Sequence, residues 1–275
     1  MSTTAEVVVG ISTGLIQTVL FNPIDRALYL HIKDNTSFLA KSNWVNPYHG
    51  VFNALGNRVI QYGFYYNIVD WYLQLLKREC PKLGNASSRI ITGVATGVTT
   101  AVLLNPISCV KYHAWGTDLD LRVVARDMHK EAGMRSFARG LGTTAMRDSV
   151  FSVLYLLGKR YSDTYSNDNK MRFLTNSLVS CVATVVTAPI NYVRNMKYAR
   201  GYKNTNPSAR RIYHELIHAQ PAYSRRLLDI VPIFHYYTHR LAIGWGTLRV
   251  GVGIACGQYI FDSLMASMGG AIDNI

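Results

Sequence analysis

Apolar and charged positions alternate along this chain on the scale of whole helices. Three runs carry no Asp, Glu, Lys or Arg: Val7 to Ile24 with 18 residues, Ile90 to Val110 with 21, and Phe173 to Val193 with 21. A helix that crosses the hydrocarbon core of a bilayer needs about 20 residues, so each run predicts a membrane-spanning helix. A second, weaker apolar segment follows each one, roughly Phe52 to Leu76, Gly142 to Gly158 and Gly244 to Met268. These hold isolated charges: Arg58 and Asp70, Arg147 and Asp148, Arg249 and Asp262. A charge at mid-membrane costs at least about 2–3 kcal/mol unless it faces water or a partner. Three helices so marked predict a shared polar cavity. Snorkelling at helix ends is the alternative; it is open to Asp70 and Asp262, less so to Arg147 and Arg249, which lie well inside their segments.

The strong runs repeat. Each ends on a short phrase, Asn22-Pro23-Ile24, Asn105-Pro106-Ile107 and Ala188-Pro189-Ile190, and successive prolines are 83 positions apart. Thirteen and nine positions before the proline stand Gly10 and Gly14, then Gly93 and Gly97, then Asn176 and Ser180. Small residues four apart let helix backbones approach closely in lipid. A proline removes one backbone donor and kinks a helix, which a membrane bundle tolerates when neighbours satisfy the freed carbonyl. The expectation is an all-α membrane protein: six transmembrane helices in three tandem two-helix repeats, a pseudo-threefold bundle with its prolines gathered at the closed end of a central cavity. It forms one domain over 1–275, with repeats near 1–83, 84–166 and 167–275.

Composition narrows the class. The 275 residues are 49% hydrophobic and only 16% charged, against about 25% charged in ordinary soluble domains. This excludes a disordered chain, a secreted disulfide scaffold and most soluble enzymes. Cys80, Cys109, Cys181 and Cys256 form no CxxC and read as single thiols in apolar helices. MSTTAEVVVG has neither a basic n-region nor an Arg-rich presequence, so no cleavable targeting signal is expected. Lys and Arg number 29 against 16 for Asp and Glu, a formal net charge of +13. The stretch from Arg194 to Arg240 alone holds nine Lys or Arg against Glu215 and Asp229. That asymmetry suits loops on anionic headgroups and needs no nucleic-acid partner.

Three two-helix repeats, with a Pro-x-acid-x-x-base phrase behind each odd helix, resemble the mitochondrial carrier family. Lys130 to Gly133, Phe137 to Gly142 and Leu154-Tyr155 look like that family's matrix helix, its basic-glycine step and its following even helix. Tyr48-His49-Gly50 looks like the same step in the first repeat, with Ala242 in the glycine slot of the third. The resemblance implies the inner mitochondrial membrane, long basic loops on the matrix side, anionic lipid such as cardiolipin as a partner, and no cofactor. It also implies two gates and a contact site between them. For the matrix gate it sets Asp25 against Lys111, Ser108 against Arg194 as a hydrogen bond, and Asn191 against Leu28, so only Asp25 with Lys111 keeps an acid–base pair. For the cytoplasmic gate it selects Asp70 and Leu73, Arg160 and Asp163 in reversed order, and Asp262 and Met265. For substrate contact it selects Asn57, with Arg58 one step round, then Arg147 with Asp148, then Arg249. An Arg-Asp pair at the second contact is similar to members that carry amino-acid-like or carnitine-like solutes.

Loss of most of two rings of ion pairs removes the alternation that transport requires. The chain is therefore expected to be no enzyme but a carrier-fold protein that has lost transport and serves as an accessory subunit of an inner-membrane complex of the respiratory type. An active carrier of a small anionic or zwitterionic metabolite is the alternative. The first matrix loop, 27 positions from Pro23 to Gly50, is too short for a full helix. The third is long and carries Tyr202, Tyr213, Tyr223, Phe234, Tyr236 and Tyr237 amid Arg210, Arg211, Arg225 and Arg226, side chains that interfaces enrich. His214-Glu215-Leu216-Ile217-His218 matches the HExxH helix of zinc hydrolases. No Glu follows it to supply a third ligand, so no metal is expected.

Overall fold

The computed structural model describes residues 3–117, 119–165, 169–200, 207–219 and 230–272, and these residues are helical with short connections. The first strong run and its continuation form α1, Thr3–Asp34, with Pro23 inside it. After a four-residue 3-10 helix, Lys41–Trp44, comes α2, Val51–Glu79. The second pair is α3, Asn85–Thr117, with Pro106 inside, and α5, Leu141–Tyr165; the short α4, Leu121–Ala132, lies between them. The third pair is α6, Asn169–Ala199, with Pro189 inside, and α9, Trp245–Ile272. Two short helices intervene there, α7, Ala209–His218, and α8, Ile230–Arg240. The first loop thus holds one 3-10 turn where the second holds three helical turns.

The six long helices close on themselves. In order round the molecule α1 packs on α2, α2 on α3, α3 on α5, α5 on α6, α6 on α9, and α9 on α1. The odd members α1, α3 and α6 also touch one another pairwise. Their meeting point lies beyond the prolines, where Tyr29, Tyr112 and Tyr198 are in ring contact and Leu28 packs with Tyr192 and Val193.

The packing is polar within and apolar without. Buried polar positions along α1 include Thr13, Gln17, Thr18 and Asn22; along α3 they include Thr92, Thr96, Thr100 and Asn105; along α6 they include Asn176, Ser180, Thr187 and Asn195. Exposed on the same helices are Leu15, Val19 and Leu20, then Val98, Val102 and Leu103, then Leu178, Val182 and Val186. Burial of apolar side chains away from water cannot produce that arrangement, whereas a lipid exterior can. The threonines and serines are satisfied by bonding back into their own helices, as Thr18 does to the Gly14 carbonyl and Ser180 to that of Asn176. By length and composition α3 and residues 173–199 of α6 are each apolar enough to cross a membrane.

Small residues set the spacing between helices. A Cβ built on Gly97 would stand 2.3 Å from the Ser149 backbone nitrogen, and one on Gly93 2.8 Å from the Val153 Cα, so α3 and α5 lie nearly backbone to backbone. Gly14 approaches the Arg58 carbonyl in the same way, at 3.0 Å. Each even helix is then entered through a left-handed residue: Gly50 with φ 70°, Gly140 with φ 74° and Ala242 with φ 51°. The end of an odd helix docks on each of these steps. Trp115 on α3 donates to the His49 carbonyl and fills the space beside Gly50; Tyr198 on α6 lies against Gly140; His31 on α1 meets the His239 carbonyl, with Ile32 packed in the cluster that holds Ala242.

Two outcomes follow from this geometry. Gly97→Ala is expected to destabilise the bundle by about 1–3 kcal/mol or more, because the obstructing atoms are backbone, and thermal unfolding in mild detergent should show a drop of several degrees. Ala242→Gly should leave stability unchanged or raise it by under about 1 kcal/mol, by relieving a non-glycine left-handed residue.

Candidate functional site

Two of the interior charges expected on the even helices, Arg58 and Arg249, converge on one carboxylate. Asp25, two residues beyond Pro23 on α1, accepts from Arg58 of α2 at 2.8 Å. Arg249 of α9 grips the same group through Nε to one oxygen and through its terminal nitrogen to the other at 2.8 Å. The Arg249 side chain is 9% exposed, that of Arg58 17%, and that of Asp25 25%. Phe21 supports the Arg249 guanidinium, whose carbon lies 4.8 Å from the ring centroid. Charge-assisted bonds of this kind are roughly twice as strong as neutral ones, and the side-on guanidinium grip fixes the plane of the carboxylate.

The Asp25–Lys111 bridge expected for the matrix gate is not formed. Lys111 lies instead over the rings of Tyr112 and Trp115, with its Nζ 4.5 and 4.8 Å from their centroids. Two guanidiniums outcompete one ammonium here because they offer a planar, multidentate match to a carboxylate, and because the close α1–α2 approach at Gly14 brings Arg58 within reach. The Ser108–Arg194 hydrogen bond is also replaced. Arg194, 8% exposed, donates to the Tyr112 hydroxyl and to Asn195 Oδ1, both at 3.3 Å. Asn191 is half-buried with its Oδ1 unpartnered, while Leu28 joins the apolar cluster of Tyr192, Val193 and Ala242.

What fills the converging end is aromatic. Tyr112 stacks on Tyr198 with centroids 5.2 Å apart and an interplanar angle of 10°, meets Tyr29 at 4.9 Å, and takes Trp115 edge-on at 5.3 Å. Lys111 and the Arg194 guanidinium, 5.4 Å from the Tyr112 centroid, both lie over this cluster. Cation–π contacts and stacking therefore stand where one acid–base pair and one hydrogen bond were expected. Tyr29, Tyr112, Trp115 and Tyr198 were missed in the sequence. The available signal was aromatics at like positions behind the prolines: Tyr29 and Tyr112 six after Pro23 and Pro106, and Trp115 and Tyr198 nine after Pro106 and Pro189.

The second contact pair is formed as a unit. Arg147 and Asp148 bridge at 2.5 Å on α5, half-buried, with the Arg147 guanidinium carbon 5.9 Å from the Phe151 centroid. Asp148 is within electrostatic range of Arg194, and Arg147 of Tyr112. Asn57 is 8% exposed and its Oδ1 has no partner. Among the described residues at least five cations, Arg58, Lys111, Arg147, Arg194 and Arg249, thus share the interior with Asp25 and Asp148. Such an excess favours anionic guests.

At the opposite gate the described side chains are those of Asp70, Leu73, Arg160, Asp262 and Met265. Asp70 and Asp262 are exposed, and among the described residues neither enters an ion pair. Arg160 is half-buried on α5, and the Asp163 side chain lies outside the described residues. Of the third loop, Tyr202, Tyr223, Arg225 and Arg226 lie outside them as well, whereas Tyr213 and Phe234 are exposed and Tyr236 donates to the Leu216 carbonyl.

The HExxH run is built as a surface helix. Ser208 caps α7 by accepting from the Arg211 amide, Ile212 and Leu216 are buried, and the rings of His214 and His218 lie 3.9 Å apart. Glu215 is engaged by Arg200 of α6 and by Arg211. Among the described residues no three His, Cys, Asp or Glu gather as a metal site.

No family model matches the chain. Comparison with individual proteins does find relatives. The mitochondrial glycine transporter of Emericella nidulans is 28% identical over 130 residues, 42% of this chain and 39% of the relative. Mitoferrin of Caenorhabditis briggsae is 20% identical over 188 residues, 64% of this chain and 60% of the relative. The mitochondrial glutathione transporter of Danio rerio is 26% identical over 147 residues, 48% of this chain and 40% of the relative. All three relatives are mitochondrial carriers, and this chain is similar to them over part of its length. It spans between two fifths and three fifths of the length of these carriers. Their names are those of transporters, and the likeness supports a carrier-like helical fold for this chain.

The burial of Ile212 and Leu216 docks α7, and its acid gives that docking a pH dependence. The hydrogen bond from Arg200 holds the Glu215 carboxyl below its ordinary range, with Arg211 adding to the effect. A depressed folded-state pKa contributes stability above the unfolded value of about 4.3 and loses it as pH falls through the lower folded value. Because Glu215 is exposed to solvent, the loss should stay within about 1 kcal/mol. Hydrogen exchange of α7 amides, corrected for intrinsic rates, should speed up below about pH 4 in the native chain. In Glu215→Gln it should show no such step.

Proposed function

We propose that the chain is a solute carrier of the mitochondrial inner membrane that moves a small anionic or zwitterionic metabolite, amino-acid-like or carnitine-like in class. In this reading α1, α2, α3, α5, α6 and α9 span the bilayer as three two-helix repeats, near 1–83, 84–166 and 167–275, about a pseudo-threefold axis. The loops that hold α4, α7 and α8 face the matrix and rest on anionic lipid such as cardiolipin. The cyclic packing of the long helices and the docking of each odd-helix end on a left-handed step support that arrangement.

The observation that carries the reading is the Arg58–Asp25–Arg249 group. Arginines from two even helices meet on one carboxylate in the interior, with Arg147, Asp148 and Arg194 also there. A structural bundle has no need of five interior cations, since a well-packed apolar substitute is often as stable as a buried ion pair or more so. The carboxylate of an amino-acid-like solute would take the arginines, and Asp148 would receive its ammonium group. The three relatives carry a range of cargoes by their names, a glycine transporter, a mitoferrin and a glutathione transporter, so kinship leaves the class of solute to the residues.

The second reading, a carrier-fold accessory subunit of a respiratory-type complex, has one observation in its favour. Val231 and Phe234 on α8 and Met134 beside α4 are 69%, 68% and 74% exposed, outside the long helices. In that reading the absence of a paired gate at Asp70 and Asp262 reflects lost transport.

Counter-exchange in liposomes separates the two. The purified chain should take up radiolabelled glycine, glutamate or carnitine saturably against internal substrate, and Arg249→Ala should reduce the rate at least tenfold, the scale of a lost charge-assisted contact. Absence of uptake across these and across dicarboxylates and nucleotides, together with migration in a large complex on native gels, would decide for the accessory subunit.

A further inference from the structure

We propose that Asp25 is a built-in competitor for the solute: the fork of Arg58 and Arg249 is a carboxylate receptor, and the chain's own carboxylate occupies it in the state described here. The inference rests on the carrier reading above and adds how a solute is admitted. Asp25 belongs to α1, whereas the guanidiniums come from α2 and α9, the two neighbours of α1 in the ring. One carboxylate therefore bridges three long helices, and another carboxylate in its place would take over that bridge and release the acid of α1.

The receptor is complete without Asp25. Arg249 is oriented by the Phe21 ring and presents two nitrogens side-on. Arg58 adds a third donor at 2.8 Å. The Gly14 contact holds the Arg58 backbone close to α1, and Gln17 of α1 donates to the Gly253 carbonyl of α9 at 2.7 Å. These contacts fix both arginines to helices that stay packed when the carboxylate leaves. The fork is also reachable, since Asp25 keeps a quarter of its side-chain surface exposed.

A destination exists for the displaced acid. Lys111 of α3 lies within electrostatic range of Asp25 and, among the described residues, rests on the aromatic faces of Tyr112 and Trp115. A solute carboxylate entering the fork leaves both guanidiniums paired and frees Asp25 to turn to Lys111. The filled state pairs one more cation than the empty one, in which Lys111 rests on aromatic faces, so neither end state leaves an interior carboxylate without a cation, the costly case. Asp25 is thus a two-position acid: on the arginines when the site is empty, on the lysine when it is filled. Solutes with no carboxylate cannot make the exchange.

The test uses the full chain in mild detergent, with acetate as probe and chloride at equal ionic strength as control. Asp25→Ala should unfold several degrees below the native chain in chloride. Acetate should restore most of that difference saturably, while moving the native chain little. Asp25→Asn, which keeps the size of the side chain, should bind glycine about tenfold or more tightly than the native chain does, since the internal competitor is gone. Methylammonium should distinguish neither variant. If acetate acts no better than chloride on the alanine variant, or if the native chain binds glycine as tightly as Asp25→Asn, the proposal is overturned. Should the alanine variant not purify, the asparagine comparison decides alone. The outcome is separable from that of the transport assay: rescue by acetate without uptake would sink the carrier reading and leave the receptor standing, whereas uptake without rescue or tighter binding would do the reverse.

Discussion

Two arginines inside a bundle of apolar helices need an acid, and Asp25 is the acid they share. A lone guanidinium in a dry interior is costly, and its carboxylate partner must come from a helix that packs against it. Arg58 and Arg249 sit on α2 and α9, and α1 is the one long helix in contact with both. The close approach at Gly14, the bond from Gln17 to Gly253 and the support of Arg249 by Phe21 all serve to bring three side chains from 25, 58 and 249 to one point. The interior polarity of the rest of the molecule is consistent with that centre. Threonines, serines and asparagines line the inner faces, and the outer faces carry the valines and leucines.

Once Asp25 is held by the arginines, the converging end of the odd helices has lost its acid and must be closed by other means. Aromatic rings meet this requirement, because they bury large area, stack on one another and accept cations on their faces. Tyr29, Tyr112, Trp115 and Tyr198 come from all three odd helices, and Lys111 and Arg194 are accommodated on their faces. Tyr112 is central, with Tyr29, Trp115 and Tyr198 all in contact with it. Trp115 links the cluster to the first repeat through the His49 carbonyl, and Tyr198 links it to the second through Asn105 and Thr144.

The long helices and their small-residue contacts were legible in the sequence because they depend on local or periodic signals. Charge-free runs mark the odd helices, proline at a fixed interval marks the repeats, and Gly93 and Gly97 mark the tightest approach. Ala242 was legible as the third glycine slot, and its φ of 51° gives the reason a glycine stands at Gly50 and Gly140. The partners of Asp25 were not legible. The motif assigned it a base by position within the repeat, whereas the choice between Lys111 and two arginines depends on which side chains can reach one point and on the planarity of the guanidinium. Arg26 was overlooked for a similar reason. It is 1% exposed and donates to the Val45 carbonyl at 2.5 Å, a link across a loop that no periodic pattern announces.

The loss of paired gate residues does not by itself decide whether such a molecule can alternate. A gate is a set of contacts that is stable when the site is empty and becomes dispensable when it is filled, and what matters is that the two states differ by little free energy. A ring of ion pairs achieves this by breaking and reforming salt bridges. In the proposed carrier reading the aromatic cluster contributes a closure built on stacked rings, and the exchangeable ionic contact is that of Asp25 with Arg58 and Arg249. Coupling between occupancy and closure then needs no intermediate residue, since the group that a solute displaces is itself part of helix α1. A single contact of this kind is easily balanced by a cargo of similar chemistry, which is the condition a small carboxylate satisfies and a large or neutral solute does not.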